Sequence, residues 1–174
     1  MADSGFQREF LDAHNTYRNL HGSPPLALSS ELNTAAQRWA ENLLSLGLLN
    51  HSDTSNGENL YTVLKSHPLT AKDAVDAWYE EVNNYSWSNP GFRGDTGHFT
   101  QVVWKESTHL GVGVATAGTR SYVVAQYHPA GNMTMPGYFE KNVLPKGSSG
   151  GSGSDNSSSG RGVTTKSRKK CTLL

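Results

Sequence analysis

Two histidines and two glutamates are the residues of this chain whose side chains could do chemistry together. His98 lies in the run from Gly97 to Trp104, which we interpret as an apolar strand with the imidazole at its beginning. His51, Glu58 and Glu81 are its candidate partners. Imidazole and carboxylate groups bind divalent ions and transfer protons near neutral pH, so the set predicts a metal or acid/base site. The alternatives are structural, namely a hydrogen-bonding histidine and glutamates that belong to ion pairs.

Two predicted helices precede His51. Apolar residues spaced three and four apart predict the first helix over residues 6–20, which a glycine and two prolines end. A second stripe over residues 32–46 predicts another helix, with Ser29 or Ser30 as N-cap and a glycine at its C-terminal end. His51 therefore follows closely on a helix end.

A third helix positions Glu81. Thr70 and Asp73 make a capping-box-like start, and an apolar stripe follows over residues 74–85. At about 100° per residue, Glu81 falls on the edge of this stripe while Glu80 points away from it. We expect Glu80 to be solvated and Glu81 to be half-buried, where a carboxylate needs a partner.

Beyond Pro90, the spacing of the apolar residues changes from a period of 3.6 to a period of 2, which is typical of strands. We predict strands at residues 99–105, 110–115 and 122–127, joined by short turns and therefore paired antiparallel. Helices followed by a small antiparallel sheet indicate the α+β class, with helices and sheet in packed layers.

Composition divides the chain into three parts. Residues 1–146 can bury one core, residues 147–165 have the Gly/Ser composition of a flexible linker, and residues 166–174 form a basic tail. Residues 146–174 hold six Lys or Arg against one Asp, a net +5, which leaves −5 for the rest of a neutral chain. An acidic body argues against nucleic acid as a partner, whereas a basic tail suits an anionic lipid surface.

Cys171 is the only cysteine, so no intramolecular disulfide is expected and a reducing compartment is favoured. The first residues carry charges and no apolar run, which predicts neither a secretory signal peptide nor a transmembrane helix. Ala2 excludes N-myristoylation.

The chain's end matches the C-a-a-X prenylation pattern, with Cys171 as acceptor and a terminal leucine that favours geranylgeranyl. Four nearby basic residues would each add ~1 kcal/mol of attraction to an anionic leaflet: Lys166, Arg168, Lys169 and Lys170. Two alternatives compete for these residues. Thr172-Leu173-Leu174 also fits a PDZ-domain ligand, and the tail could be inert.

Seven motifs taken together resemble the CAP family, which contains cysteine-rich secretory proteins, insect venom allergens and plant pathogenesis-related proteins of group 1. They are HNTYR (His14 to Arg18), HGSPPL, His51-Ser52, GENL (Gly57 to Leu60), WYEE (Trp78 to Glu81), GHFTQVVW and QYHPAGN (Gln126 to Asn132). The resemblance covers nearly all of residues 5–145 and is greatest to the Golgi-associated, non-secreted branch. Ala125 stands where many secreted members have a cysteine, which disfavours an extracellular location.

The resemblance implies a three-layer α-β-α sandwich with a central cleft formed by His51, His98, Glu58 and Glu81. The two imidazoles would hold zinc or another divalent ion, and the carboxylates would orient them. Family members are similar in binding sterols, fatty acids or phosphoinositides, and the Golgi-associated branch is associated with homodimers. His14 is expected to be a packing and hydrogen-bonding element.

These observations favour a non-catalytic binding module, attached by a prenyl group to the cytosolic face of the Golgi, another endomembrane or the plasma membrane. Its partners would be lipids or proteins. The alternative is a zinc-assisted hydrolase or protease with Glu58 or Glu81 as general base, or a variant with Ser52 as nucleophile. We expect the remaining histidines to be surface or structural residues: His21, His67, His109 and His128.

Overall fold

The computed structural model describes residues 1–149, in which helices enclose a four-stranded sheet. The helices are α1 (Ser4–Leu20), α2 (Ser30–Leu46), α3 (Ala71–Glu80), α4 (Gly97–Val103) and α5 (Tyr138–Asn142), with a 3-10 turn at Glu81–Asn84. The strands are β1 (Ala27–Leu28), β2 (Gly57–Leu64), β3 (His109–Ala117) and β4 (Arg120–His128).

The sheet is the middle layer of a sandwich. Its strand order is β1-β3-β4-β2, and β4 pairs antiparallel with both β3 and β2. Helix α2 covers one face through a small core that includes Ala36, Leu43 and Val124. Helices α1, α3 and α4 pack together beside a larger core that contains Phe10 and Trp78. The predicted α+β, three-layer fold is confirmed, although the sheet is mixed because β1 runs parallel to β3.

Close packing of α2 on the sheet depends on two glycines. A Cβ atom at Gly111 would collide with the backbone of Leu32, and one at Gly113 would collide with the backbone of Ala36. Because backbone atoms cannot move aside cheaply, only glycine permits this separation between helix and strand.

Three predicted helix boundaries are confirmed, whereas the third helix is shorter than its apolar stripe, because α3 ends at Glu80 and Glu81 begins the 3-10 turn. The Ser29 hydroxyl accepts a hydrogen bond from the Leu32 amide at the start of α2, and Gly47 ends that helix with φ 68°. Thr70 and Asp73 form the expected capping box of α3. Glu80 is exposed as the helical wheel predicts, and Glu81, which was expected to be half-buried, is buried.

Two features of the sheet differ from the sequence prediction. The strand predicted at 99–105 is wrong, because residues 97–103 form helix α4. Every residue from 98 to 103 is buried, so the apolar run carries no polar face that would distinguish a period of 3.6 from a period of 2. Strand β2 was not predicted at all, whereas the other two predicted strands lie within β3 and β4 and pair as expected.

The predicted tail lies outside the described residues. This applies to almost all of the 147–165 linker and to the 166–174 segment with Cys171, Lys166, Arg168, Lys169 and Lys170. Within residues 1–149, no helix combines the length and the apolar character needed to cross a bilayer.

Candidate functional site

The first half of the site is a buried carboxylate that holds an exposed imidazole. Glu58 lies on β2 with its side chain 3% exposed, while the His51 side chain is 52% exposed. One Glu58 oxygen accepts hydrogen bonds from His51 Nδ1 at 2.8 Å and from the Ser52 amide at 2.9 Å. The other accepts from the Ser52 hydroxyl at 2.5 Å and from Gln126 Nε2 at 3.2 Å.

These bonds keep Glu58 ionised. Burial alone would raise the pKa of its carboxyl group, but the donors from His51, Ser52 and Gln126 outweigh burial, and the net pKa is lowered. A carboxylate held in its anionic form by four donors is a weak base, so Glu58 is suited to orienting His51 rather than to accepting a proton.

The second half of the site repeats this arrangement in a buried form. The side chains of Glu81 and His98 are 7% and 8% exposed. One Glu81 oxygen accepts hydrogen bonds from the backbone amides of His98 and Phe99 at 2.9 and 3.1 Å, and the other faces His98 Nδ1 at 3.0 Å. Glu81 thus binds the first amides of α4, where a carboxylate also complements the helix dipole.

The structure brings one of the two pairs into an open groove. His51, Glu58, Gln101 and Asn132 line a cavity of about 250 Å³, together with neighbouring loop residues. His98 and Glu81 do not line this cavity. The link between the pairs is Asn59, next to Glu58 on β2, whose side-chain amide donates to the His98 carbonyl at 3.1 Å.

A buried chain of hydrogen bonds supports Asn59 from below. Asn59 Nδ2 donates to the Tyr127 hydroxyl at 3.3 Å, and that hydroxyl lies 2.7 Å from His14 Nε2. His14 Nδ1 lies 2.9 Å from the Phe10 carbonyl, which can only accept, so Nδ1 carries the proton and Nε2 accepts from Tyr127. The predicted packing and hydrogen-bonding role of His14 is confirmed.

His14 makes the stability of the fold depend on pH. Complete burial is the largest cause that lowers its pKa from 6.5 to about 3, with a smaller contribution from Arg18. The unfolded chain therefore binds a proton more readily, so the stabilising contribution is complete above pH 6.5 and is lost as the pH falls toward 3. We expect the loss to reach about 2 kcal/mol between pH 7 and pH 5.

Urea denaturation of His14→Gln measures this contribution, because glutamine retains hydrogen-bonding groups but does not titrate. The free energy of unfolding of the variant should fall less than that of the wild type between pH 7 and pH 5. His67→Gln, which changes an exposed histidine, should retain the wild-type pH dependence. Equal pH dependence in wild type and His14→Gln would contradict the assignment.

Several positioning residues escaped the sequence analysis. Asn59, Gln126 and Asn132 all lie in motifs noted there, but their roles depend on partners far away in the chain. Asn132 has φ 58°, donates to the Gly97 carbonyl at 2.9 Å and accepts from the Thr100 hydroxyl at 2.5 Å. The loop after β4 is thereby tied to the start of α4.

The donor set limits the metal chemistry that this site can support. Nδ1 of His51 and Nδ1 of His98 each face a carboxylate, and of the two histidines only His51 lines the groove. The oxygens of Glu58 and Glu81 already accept hydrogen bonds, and no group of three or more His, Cys, Asp or Glu side chains able to hold a metal occurs within residues 1–149. The described residues therefore do not fit a three-ligand catalytic zinc centre.

Comparison with known proteins agrees with the geometry. The profile of the cysteine-rich secretory protein family, CAP, matches residues 11–127. This chain belongs to the CAP family. It is 48% identical to the human Golgi-associated plant pathogenesis-related protein 1 over 149 residues, which cover 83% of this chain and 96% of that protein. It is 39% identical to protein PRY2 of Saccharomyces cerevisiae, over 80% of this chain and 41% of PRY2.

Solved structures of CAP proteins share the fold. The structure of NaASP2 with Zn²⁺ superposes with a TM-score of 0.69 at 26% identity and covers 84% of this chain and 88% of its own. BmVAL-1 superposes with a TM-score of 0.66 at 22% identity, over 82% of each chain. The CAP fold implied by the sequence motifs is therefore confirmed.

Proposed function

We propose that this CAP domain is a non-catalytic binding module, held at the cytosolic face of the Golgi, of another endomembrane or of the plasma membrane. Its cleft recognises lipid or protein partners. The observation that carries the proposal is the 48% identity to a human protein whose name records Golgi association, over 96% of that protein's length. By family resemblance, the ligand class comprises sterols, fatty acids and phosphoinositides.

The hydrogen bonds at the cleft favour recognition over catalysis. The Ser52 hydroxyl donates to Glu58, whose lowered pKa makes it a poor base for activating a nucleophile. The His51 side chain, in contrast, is half exposed to solvent, while its Nδ1 atom is hydrogen-bonded to the buried carboxylate of Glu58. Because Nδ1 donates to Glu58, Nε2 of the neutral His51 ring carries a lone pair and is suited to accepting a hydrogen bond from a hydroxyl-bearing ligand.

Zinc or another divalent ion belongs to this proposal only as a weakly held component of the cleft. His51 and His98 would supply the protein ligands, with Glu58 and Glu81 orienting the two rings. Bound there, an ion would attract an anionic group of the ligand. The crystal structure of NaASP2 with Zn²⁺ motivates this part of the proposal and the alternative of a zinc-assisted hydrolase.

The tail completes the proposal. Prenylation of Cys171, assisted by Lys166, Arg168, Lys169 and Lys170, would hold the domain at an anionic membrane surface. Capture of an unprocessed end by a PDZ domain is the alternative. Homodimer formation, implied by the Golgi-associated branch, stays a prediction.

A vesicle-binding experiment with the unprenylated full chain tests recognition by the cleft. Phosphatidylcholine vesicles carrying either a phosphoinositide or a sterol are titrated with the wild type and with His51→Ala. Loss of one hydrogen bond to the ligand should weaken binding about tenfold on the vesicles that carry the ligand. The fold should be retained, because half of the His51 side chain is exposed and Glu58 keeps its donors from Ser52 and Gln126.

The matched control is His67→Ala, which removes an exposed histidine away from the cleft and should leave binding unchanged. Equal vesicle binding by wild type and His51→Ala would contradict cleft recognition. Zinc-dependent ester or peptide hydrolysis that disappears in His51→Ala would instead favour the hydrolase.

A further inference from the structure

A second pair of histidines lies outside the CAP cleft, at one end of the sheet. His109 begins β3 and His128 ends β4, and the two residues are direct partners in the antiparallel register. Side chains of directly opposed residues project from the same face of a sheet, with Cβ atoms about 4.5–5.5 Å apart. Both histidines are exposed and line one open groove of about 670 Å³, beside the first turn of α2.

Hydrogen bonds fix the tautomer of His128. Its Nδ1 lies 3.0 Å from the side-chain oxygen of Asn56, which can only accept a hydrogen bond. The Nδ1 atom therefore carries the proton in the neutral ring, and the lone pair is on Nε2.

The Nδ1 atom of His109 is also held by a protein group. It lies 2.8 Å from the Thr108 hydroxyl, which in turn lies 3.2 Å from the His128 carbonyl. Because a hydroxyl can accept from or donate to an imidazole nitrogen, metal binding at Nε2 would select the tautomer in which Nδ1 carries the proton and donates to Thr108. In metal sites, one ring nitrogen of a histidine ligand binds the ion while the other donates a hydrogen bond to a protein acceptor, which orients the ring.

Two oriented imidazoles at cross-strand distance form a chelating pair. We propose that His109 and His128 bind a divalent transition-metal ion through their Nε2 atoms, at a site separate from His51 and His98. Imidazole nitrogen is a good ligand for Zn²⁺, Ni²⁺ and Cu²⁺. Within residues 1–149, no third His, Cys, Asp or Glu joins the pair, so water would complete the coordination of the ion. Glu31 lines the same groove, and its charge offsets the positive end of α2.

Isothermal titration of the full chain with Zn²⁺ and with Ni²⁺ tests the pair. Replacement of either ligand, in His109→Gln or His128→Gln, should weaken one binding event by about tenfold or more. The double variant should lose that event entirely. Because both side chains are exposed, thermal unfolding without metal should be unchanged in all three variants.

Two controls distinguish this site from the rest of the surface. His67→Gln removes an unrelated exposed histidine, and His51→Gln removes the exposed imidazole of the cleft; both should retain the event. Imidazole ¹⁵N spectra should show that Zn²⁺ shifts the Nε2 resonances of His109 and His128 in the wild type. An unchanged titration in the double variant, or a loss of the event only in His51→Gln, would overturn the proposal.

Discussion

Replacing Arg18 by methionine is expected to lower the free energy of unfolding by about 3 kcal/mol or more. Arg18 is completely buried on α1, and burial lowers its pKa to about 10, which leaves it charged at neutral pH. Its guanidinium donates to the carbonyls of Pro24, Val102, Trp104 and Ser107 at 2.7–3.1 Å. Methionine fills a similar volume but removes all of these donors, and within residues 1–149 only the Trp104 carbonyl retains another one, the Ser107 amide at 3.3 Å.

The effect should extend to the cleft, because two of these carbonyls lie at the C-terminal end of α4, the helix that contains His98 in its first turn. A cation there also complements the helix dipole. Arg18→Lys should lose most of the same stability, since an ammonium group cannot reproduce the planar fork of donors.

Guanidinium chloride denaturation measures the change, and Arg8→Met is the matched control on the same helix. Arg8 is exposed, so its replacement should alter stability by less than about 0.5 kcal/mol. A loss of similar size in Arg8→Met and Arg18→Met would show that the carbonyl contacts of Arg18 are not the cause.

The second large effect concerns attachment to membranes. In eukaryotic cells, Cys171→Ser is expected to move the protein from the membrane fraction to the soluble fraction, because a serine cannot be prenylated. A single lipid chain binds only marginally, so the basic residues should also be needed. Neutralising all four of them would remove about 4 kcal/mol of attraction, or roughly three orders of magnitude in the membrane partition constant.

Fractionation of cells that express the wild type, Cys171→Ser and the fourfold glutamine variant tests this prediction. The glutamine variant replaces Lys166, Arg168, Lys169 and Lys170 and retains the cysteine. Substitution of Ser167 by glutamine controls for a change near the prenylation site without a change in charge. Membrane retention of Cys171→Ser equal to that of the wild type would contradict the prenyl anchor.

Much of the fold was predictable because its helices carry clear local signals. The capping box at Thr70 and the left-handed Gly47 are confirmed as helix boundaries, and Glu81 faces the interior as the helical wheel indicated, although it is buried rather than half-buried. Helix α4 was mistaken for a strand because it is short and buried on all sides, so that it lacks the polar face from which a period is recognised.

The support beneath the cleft could not be predicted from spacing. The His14–Tyr127 contact joins residues 113 positions apart, and only the assembled fold brings them together. His109 and His128 share no ligand spacing along the chain and were expected to be surface or structural residues. Their juxtaposition follows from the β3–β4 register, but the predicted strands 110–115 and 122–127 stop short of both histidines.

The most direct test of a membrane-attached CAP module is the intact mass of the full chain purified from eukaryotic cells, beside Cys171→Ser. The proposal predicts that the wild type loses its last three residues and gains a prenyl group and a methyl ester, while the variant keeps Thr172-Leu173-Leu174 unmodified. An unmodified end in the wild type would contradict the anchor and favour recognition by a PDZ domain.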